Sequence, residues 1–419
     1  MRRVLLVSYY APPRPGVATT RTRQLIRYLP EFGWSVTVLT ARLPGADPTI
    51  VQSEYVNLPG ALKRAVGLGA ASAHETLGIA PAARGTRRTF RQAAVAWGYR
   101  LTSYPDAQVG WFIPGRNAVR AALGVERFDA ILSSSPPFTT DLMIASVAPQ
   151  IPWVADYRDL WADSDAYASR VRRRFDRWLE RWTLARVCAA TTISEPMADV
   201  MRSHRPGLPV DVIPNGFDAA EWQDIPFETE DRTTFLYAGQ LFGGRRDPRP
   251  LFRVLRQLID AGDVSGDEVR VDVYSALEPW LQEAIAEARL DDVVRVRGVV
   301  PRDEVLRAER RADRLLVLLW EGANAEGIVT GKLFEYFGAG RRILAIGGPS
   351  RSAVDDLLRE TGTGTRAMTD TELRREVLEA ITEHRRGAVA RTQGERVEAF
   401  SASEMARRFA GVLDRVSAV

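Results

Sequence analysis

The chain has 419 residues, 45% of them hydrophobic and 26% charged, with a single cysteine and a formal net charge of +4. That length suggests about two or three domains, and the hydrophobic content excludes a disordered chain. The lone Cys188 excludes a disulfide scaffold, and no run of about 18 apolar residues is present to cross a bilayer.

Of the 57 basic residues, all but Lys63 and Lys332 are arginine. Single arginines therefore carry little information, and a lysine carries more. The arginines are scattered and no aromatic-plus-basic recognition motif appears, so nucleic acid is not an expected partner. The opening MRRVLLVSYYAPP has too short an apolar core for a signal peptide, so a cytoplasmic protein is expected.

Short apolar runs alternate with helical patterns along the first half. Strands read at Val4–Val7, Ser35–Leu39, Ala130–Leu132, Trp153–Ala155, Ala190–Ile193 and Asp211–Ile213. After Asn215-Gly216 comes a polar, acidic connector, and the pattern restarts. Its strands are Thr234–Tyr237, Val269–Val273, Val293–Val296, Leu315–Leu319 and Ile343–Ile346. This alternation predicts an α/β protein of two doubly wound, Rossmann-like domains facing a cleft, with a boundary near residues 215–232. The expected division is 1–215, 216–400 and a terminal helix in 401–419.

Two basic amphipathic stretches stand out. In 167–187, Val171, Phe175, Trp178, Leu179, Trp182 and Ala185 form a stripe opposite arginines, read as a core-facing helix. Residues 76–105 carry Arg84, Arg87, Arg88, Arg91 and Arg100 with no acidic residue, and set Phe90, Ala94 and Trp97 on one side. That pattern suits either an insertion over the first sheet or peripheral contact with an anionic membrane.

Four segments follow strands, where doubly wound domains bind ligands. In YYAPPRPGVATTRTR, Gly16 lies in a loop before a helix opening at Thr19/Thr20. A bulky ligand can approach the backbone there, although no GxGxxG fingerprint is present. SSSPPFTTD and PWVADYRDLWAD come next, and the second places Asp156, Arg158 and Asp159 together. These groups suit a hydroxyl-rich acceptor, a proton transfer, or an internal Arg–Asp pair that shapes the loop. In FLYAGQLFGGRRDP, Gly239, Gly243 and Gly244 stand beside Arg245 and Arg246, a cradle for a diphosphate.

WEGANAEGIVTGKLFEYFGAG is the sharpest segment. A loop with Glu321 and Glu326 leads to a helix starting near Gly331–Leu333. Lys332 and the backbone N–H groups around Ile328 to Gly331 converge where a helix N-terminus attracts anions. Glu335, one turn later, suits the two hydroxyls of a ribose or simply the electrostatics of the first turn. His74, His204 and His384 are far apart, so no metal site and no cofactor are expected.

Taken in order, YYAPPRPGVATTRTRQLIRYLPEFGWSVTVLT, SSSPP, WVADYRDLW, TTISEP, VIPNGFD, YAGQLFGGRRDP and GKLFEYFGAGRRILA resemble the retaining GT-B glycosyltransferases of the family-four type. The resemblance spans almost the whole chain. It implies transfer of a sugar from a nucleoside-diphosphate sugar, such as a UDP-sugar, in polysaccharide or glycoconjugate assembly. The donor is implied to sit on the second domain, the acceptor, a lipid-linked sugar or a small molecule, on the first. Lys332, Arg245 and Asp156, Arg158 and Asp159 take the catalytic and orienting roles. Gly16, Gly239, Arg246, Glu326, Thr330, Leu333 and Glu335 take donor contacts. The family's first glutamate falls at Gly327, beside Glu326, and its usual strand-loop arginine is Gln240. An epimerase on the same fold, or a degenerate binding subunit, are the competing implications.

Overall fold

Two wholly parallel sheets are present in the computed structural model, which describes residues 1–14, 16–42, 50–57, 103–163, 170–320, 325–389, 391–392 and 394–418. The first comprises β1 (Arg2–Val7), β2 (Trp34–Ala41), β3 (Val51–Ser53), β4 (Ala130–Ser135), β5 (Trp153–Tyr157), β6 (Ala189–Thr192) and β7 (Val210–Val212), in the order β3-β2-β1-β4-β5-β6-β7. With them run α1 (Val17–Tyr28), α2 (Phe112–Val125), α3 (Thr139–Val147), α4 (Arg170–Leu184) and α5 (Glu195–His204).

The second sheet comprises β8 (Thr233–Ala238), β9 (Val269–Tyr274), β10 (Val294–Val296), β11 (Arg314–Leu319), β12 (Arg342–Gly347) and β13 (Gly364–Ala367), in the order β10-β9-β8-β11-β12-β13. Its helices are α6 (Arg249–Asp260), α7 (Pro279–Glu287), α8 (Arg302–Arg311), α9 (Gly331–Ala339), α10 (Ala353–Thr361), α11 (Asp370–Arg385) and the short α12 (Glu395–Glu398). The chain ends in α13 (Ala402–Ser417). By contacts it divides into Met1–Pro214 with Met405–Val419, and Asn215–Glu404.

Helices cover both faces of each sheet, so central strands are buried throughout and read as continuous apolar runs. All six residues of β4 and of β8 are buried. Alternation along a strand feeds two cores. Leu5 and Val7 pack with Trp153 and Trp161, whereas Val4 and Leu6 pack with Leu25 and with Phe409 and Leu413 of α13. In β8, Phe235 and Tyr237 serve one core, Leu236 and Ala238 the other. Strand order reverses between β1 and β4 and between β8 and β11, and the crevices at those carboxyl ends are where such sheets bind ligands.

The expected strands overlap observed ones, but β3 and β13 had no signal in the sequence. Both are short edge strands without an apolar run. In β13, a Cβ at Gly364 would strike the Ile343 carbonyl oxygen, so glycine is needed for pairing.

Two local expectations are corrected. α1 begins at Val17 with Gly16 as N-cap, so Thr19 and Thr20 lie inside the helix. Only part of the apolar stripe of α4 packs on the core: Leu179 and Trp182 lie against it, whereas Val171 is 81%, Phe175 50% and Trp178 58% exposed. Asp176, Glu180, Thr183 and Leu184 turn inward instead. The two carboxylates have partners there, which makes their burial tolerable. Asp176 accepts from the Tyr104 hydroxyl at 2.6 Å, and Glu180 lies 3.0 Å from His204 Nδ1. The 76–102 part of the other basic stretch, and Glu321, lie outside the described residues. Among those described, no helix is long and apolar enough to cross a membrane.

Candidate functional site

At the carboxyl end of β8 the chain turns through Gly239, whose φ of 144° suits glycine. A Cβ at Gly239 would stand 2.7 Å from Lys332 Cε and 2.9 Å from its Nζ. The lysine from α9 therefore lies flat against the β8 turn. Two aromatic faces flank it, with Nζ 5.9 Å from the ring centroids of both Tyr237 and Tyr336. The Tyr237 hydroxyl donates to the Gln240 carbonyl at 2.8 Å, and the Tyr336 hydroxyl accepts from the Ala238 N–H at 3.3 Å. The first bond closes the turn after β8, and the second ties α9 to the end of that strand.

Burial pulls the Lys332 ammonium below its ordinary value, although Glu335 and Glu309 pull it upward. An ammonium in that state gains from a further anion. The first-turn N–H groups of α9 and its dipole favour the same charge. Thr330, the N-cap, has a buried hydroxyl with no hydrogen-bond partner, and Leu333 is fully buried in the helix's first turn.

Arg246 and Arg245 stand over the same crevice on aromatic supports. The Arg246 guanidinium lies 4.9 Å from the Phe242 ring and 5.8 Å from that of Trp320, and Arg245 lies 5.8 Å from Trp320. A hollow lined by Arg246, Leu318, Trp320, Ile328, Thr330 and Pro349 opens beside them. Planar guanidiniums held this way are prepared for bidentate phosphate contacts.

Glu335 is held by Arg302 of α8 at 2.5 Å, and Arg302 also reaches Glu221 at 2.7 Å. Burial disfavours the Arg302 charge, but the two carboxylates outweigh it and raise its pKa. Glu309, seven residues along α8, is wholly buried, and neither of its oxygens has a hydrogen-bond partner among the described residues. Burial first, then Glu335, push its carboxyl well above the usual range. Glu326 is exposed in the 3-10 turn Ala325–Gly327, whereas its neighbour Gly327 is buried. Successive residues of such a turn point about 120° apart, so Glu326 leaves the chain in a different direction from position 327.

The first unit uses its charges differently. Asp156, the last residue but one of β5, is fully buried. Its Oδ1 accepts from Arg21 Nη2 and the Thr191 hydroxyl, both at 2.8 Å. Its Oδ2 accepts from Arg21 Nε at 2.9 Å and the Ser134 hydroxyl at 3.1 Å. Arg158 donates to the carbonyls of Ser135, Pro136 and Ala18 at 3.2, 2.9 and 2.7 Å. The expected Asp156–Arg158 grouping is thus not a joint ligand site: one side chain anchors Arg21, the other clamps the β4 loop to α1. Asp159 alone of the three is exposed. Gly16, at φ 113°, has open space where a side chain would stand.

Lys332, Gly239, Arg245, Arg246, Thr330, Leu333 and Glu335 thus gather around the β8–β11 crevice of one unit, and Gly16 and Asp159 lie in the other. Sequence reading missed Arg21, Arg302, Glu309, Tyr237 and Tyr336. Arg21 was hidden by the arginine background. The seven-residue spacing of Arg302 and Glu309, which places both on one helical face, was a usable signal. No group of three or more His, Cys, Asp or Glu residues among those described is placed to hold a metal.

Residues 18–221 match the model of the family described as Glycosyltransferase Family 4. No curated protein matches the sequence. Among solved structures, the chain is similar to the sucrose-phosphate synthase of Thermosynechococcus elongatus, at 14% identity and TM-score 0.65 over 100% of both chains. It is also similar to Anabaena HepE in complex with UDP, at 14% identity and TM-score 0.63 over 99% of this chain and 100% of that one. A Listeria monocytogenes protein described as a UDP-N-acetylglucosamine 2-epimerase matches at 11% identity and TM-score 0.55, covering 99% and 96%. At these identities the likeness is one of fold: two Rossmann-like domains in the GT-B arrangement of strands.

Proposed function

We propose that the chain is a glycosyltransferase that moves a hexosyl group from a nucleoside-diphosphate sugar to an acceptor hydroxyl with retention of anomeric configuration. The match of residues 18–221 supports the class. The observation that carries the mechanism is Lys332, held between Tyr237 and Tyr336 at the N-terminus of α9 with Arg245 and Arg246 across the same crevice. Asp159 and the glycine loop at Gly16 belong to the unit proposed to receive the acceptor.

Breaking the bond between the anomeric carbon and the diphosphate leaves negative charge on the departing phosphate oxygen. Lys332, Arg246 and the α9 N–H groups stabilise that charge more as it grows than in the ground state. The departing oxygen takes the acceptor's proton as the new glycosidic bond forms on the same face. No separate base is needed, and charge is handled by side chains and backbone. Glu335 accepts from the ribose hydroxyls, and Arg302 holds it in place. In this reading Asp156 and Arg158 are positioning residues that fix the β4 and β5 ends.

A thermal-shift panel of nucleoside diphosphates and their sugars tests the reading. Stabilisation by at least one, weakened in Lys332→Ala, supports it; no response to any nucleotide overturns it. The fold likeness to the epimerase-described protein favours sugar-nucleotide epimerisation as a second reading. Incubation with donor alone separates the two, because an epimerase interconverts its substrate without acceptor and a transferase does not.

A further inference from the structure

α4 carries a surface that the proposed transfer does not use. On a helical wheel, Val171, Arg174, Phe175, Trp178, Arg181 and Trp182 share one face; all but Trp182, which packs on the core, are exposed to solvent. The rings of Phe175 and Trp178 are stacked with centroids 5.5 Å apart, and Tyr104 continues the ridge 5.6 Å from Phe175. Two large aromatics and a valine at half exposure or more on one helix face are unusual for a soluble surface.

Among the described residues, the exposed charges of α4 are of one sign. Both acidic residues of α4 are buried: Asp176 is engaged by Tyr104 and Arg172, and Glu180 by His204. Arg170, Arg174 and Arg181 are exposed and form no ion pair among the described residues. An outward face built of aromatic rings, one aliphatic side chain and unneutralised guanidiniums matches the boundary of a bilayer with anionic headgroups. The rings sit at the headgroup level, Val171 reaches the acyl chains, and the arginines meet phosphates. A second copy of the chain fits poorly, since pairing this face with itself brings arginines against arginines. Nucleic acid leaves Val171 without an apolar counterpart.

We infer that the outward face of α4 docks the protein on an anionic lipid surface. This stands apart from the transfer reading, because it is tested without donor or acceptor. The full chain is sedimented with vesicles of phosphatidylcholine alone and of phosphatidylcholine with about one-third phosphatidylglycerol, at low and high salt. The expected result is binding to the anionic vesicles only, weakened by salt. Phe175→Ser with Trp178→Ser is expected to lower partitioning at least about tenfold. Arg174→Glu with Arg181→Glu should abolish it. Because all four positions are exposed, both variants keep the wild-type circular dichroism, and either alone suffices if the other misfolds.

Absence of binding to anionic vesicles overturns the inference, as does wild-type binding by both variants. So does a dimer in sedimentation velocity that the Phe175/Trp178 change dissolves, or tighter binding to duplex DNA than to vesicles. If the triple change Arg87→Ala, Arg88→Ala, Arg91→Ala removes vesicle binding while both α4 variants retain it, the contact lies elsewhere in the chain and the inference fails.

Discussion

The carboxyl ends of β5 and of β8 both gather charged side chains, and they do opposite things with them. At β5, Asp156 and Arg21 form a fully buried pair whose oxygens and N–H groups are all directed at protein. At β8, Lys332 and Arg246 lie against aromatic faces and form no close ion pair among the described residues, which leaves their charge available to a ligand. Charged residues after a strand mark a crevice in both cases. Whether they serve the fold or a ligand depends on what satisfies them.

That contrast is broken or sharpened most strongly by exchanging the two. Asp156→Ala strands the Arg21 guanidinium in the core and should destabilise the first unit by about 3–5 kcal/mol, read from urea unfolding. A loss under about 1 kcal/mol would mean that the pair is not structural. Lys332→Ala should leave the unfolding midpoint unchanged or higher, since burial already disfavours the ammonium. Its turnover should nevertheless fall on the order of 100-fold or more.

A smaller effect separates the units by pH. Asp141 of α3 is fully buried, which raises its carboxyl to about 7 despite hydrogen bonds from Ser133 and Ser135, with Asp156 and Asp106 adding to the rise. A carboxyl raised in the folded state favours folding at low pH, and that contribution is lost as pH climbs through about 7. The first unit should therefore be less stable at pH 8 than at pH 5. Asp141→Asn should flatten the difference, and an unchanged pH profile would contradict the burial argument. Smallest is Arg302→Ala, which removes a partly exposed partner of Glu335. It should raise KM for the donor about two- to fivefold with little change in kcat.

The alternation of strands and helices was legible because central parallel strands must be apolar on both faces. β3 and β13 escaped because edge strands carry no such requirement. Lys332 stood out through the scarcity of lysine, and α9 does begin at Gly331. The role of Asp156 was not legible, because its partner Arg21 lies 135 residues away and looks like any other arginine. The outer part of the α4 stripe was misread for a related reason. An apolar stripe normally faces the core, but here long-range partners, Tyr104 and His204, make the acidic side the buried one.

The central claim is that the α9 N-terminus and Lys332 hold a nucleoside diphosphate. Calorimetric titration of UDP into the wild-type protein, Lys332→Ala and Asp159→Asn tests it most directly. The expected result is binding by the wild type, at least about tenfold weaker binding by Lys332→Ala, and unaltered binding by Asp159→Asn. Equal affinity in Lys332→Ala and the wild type, with both proteins folded, would contradict it.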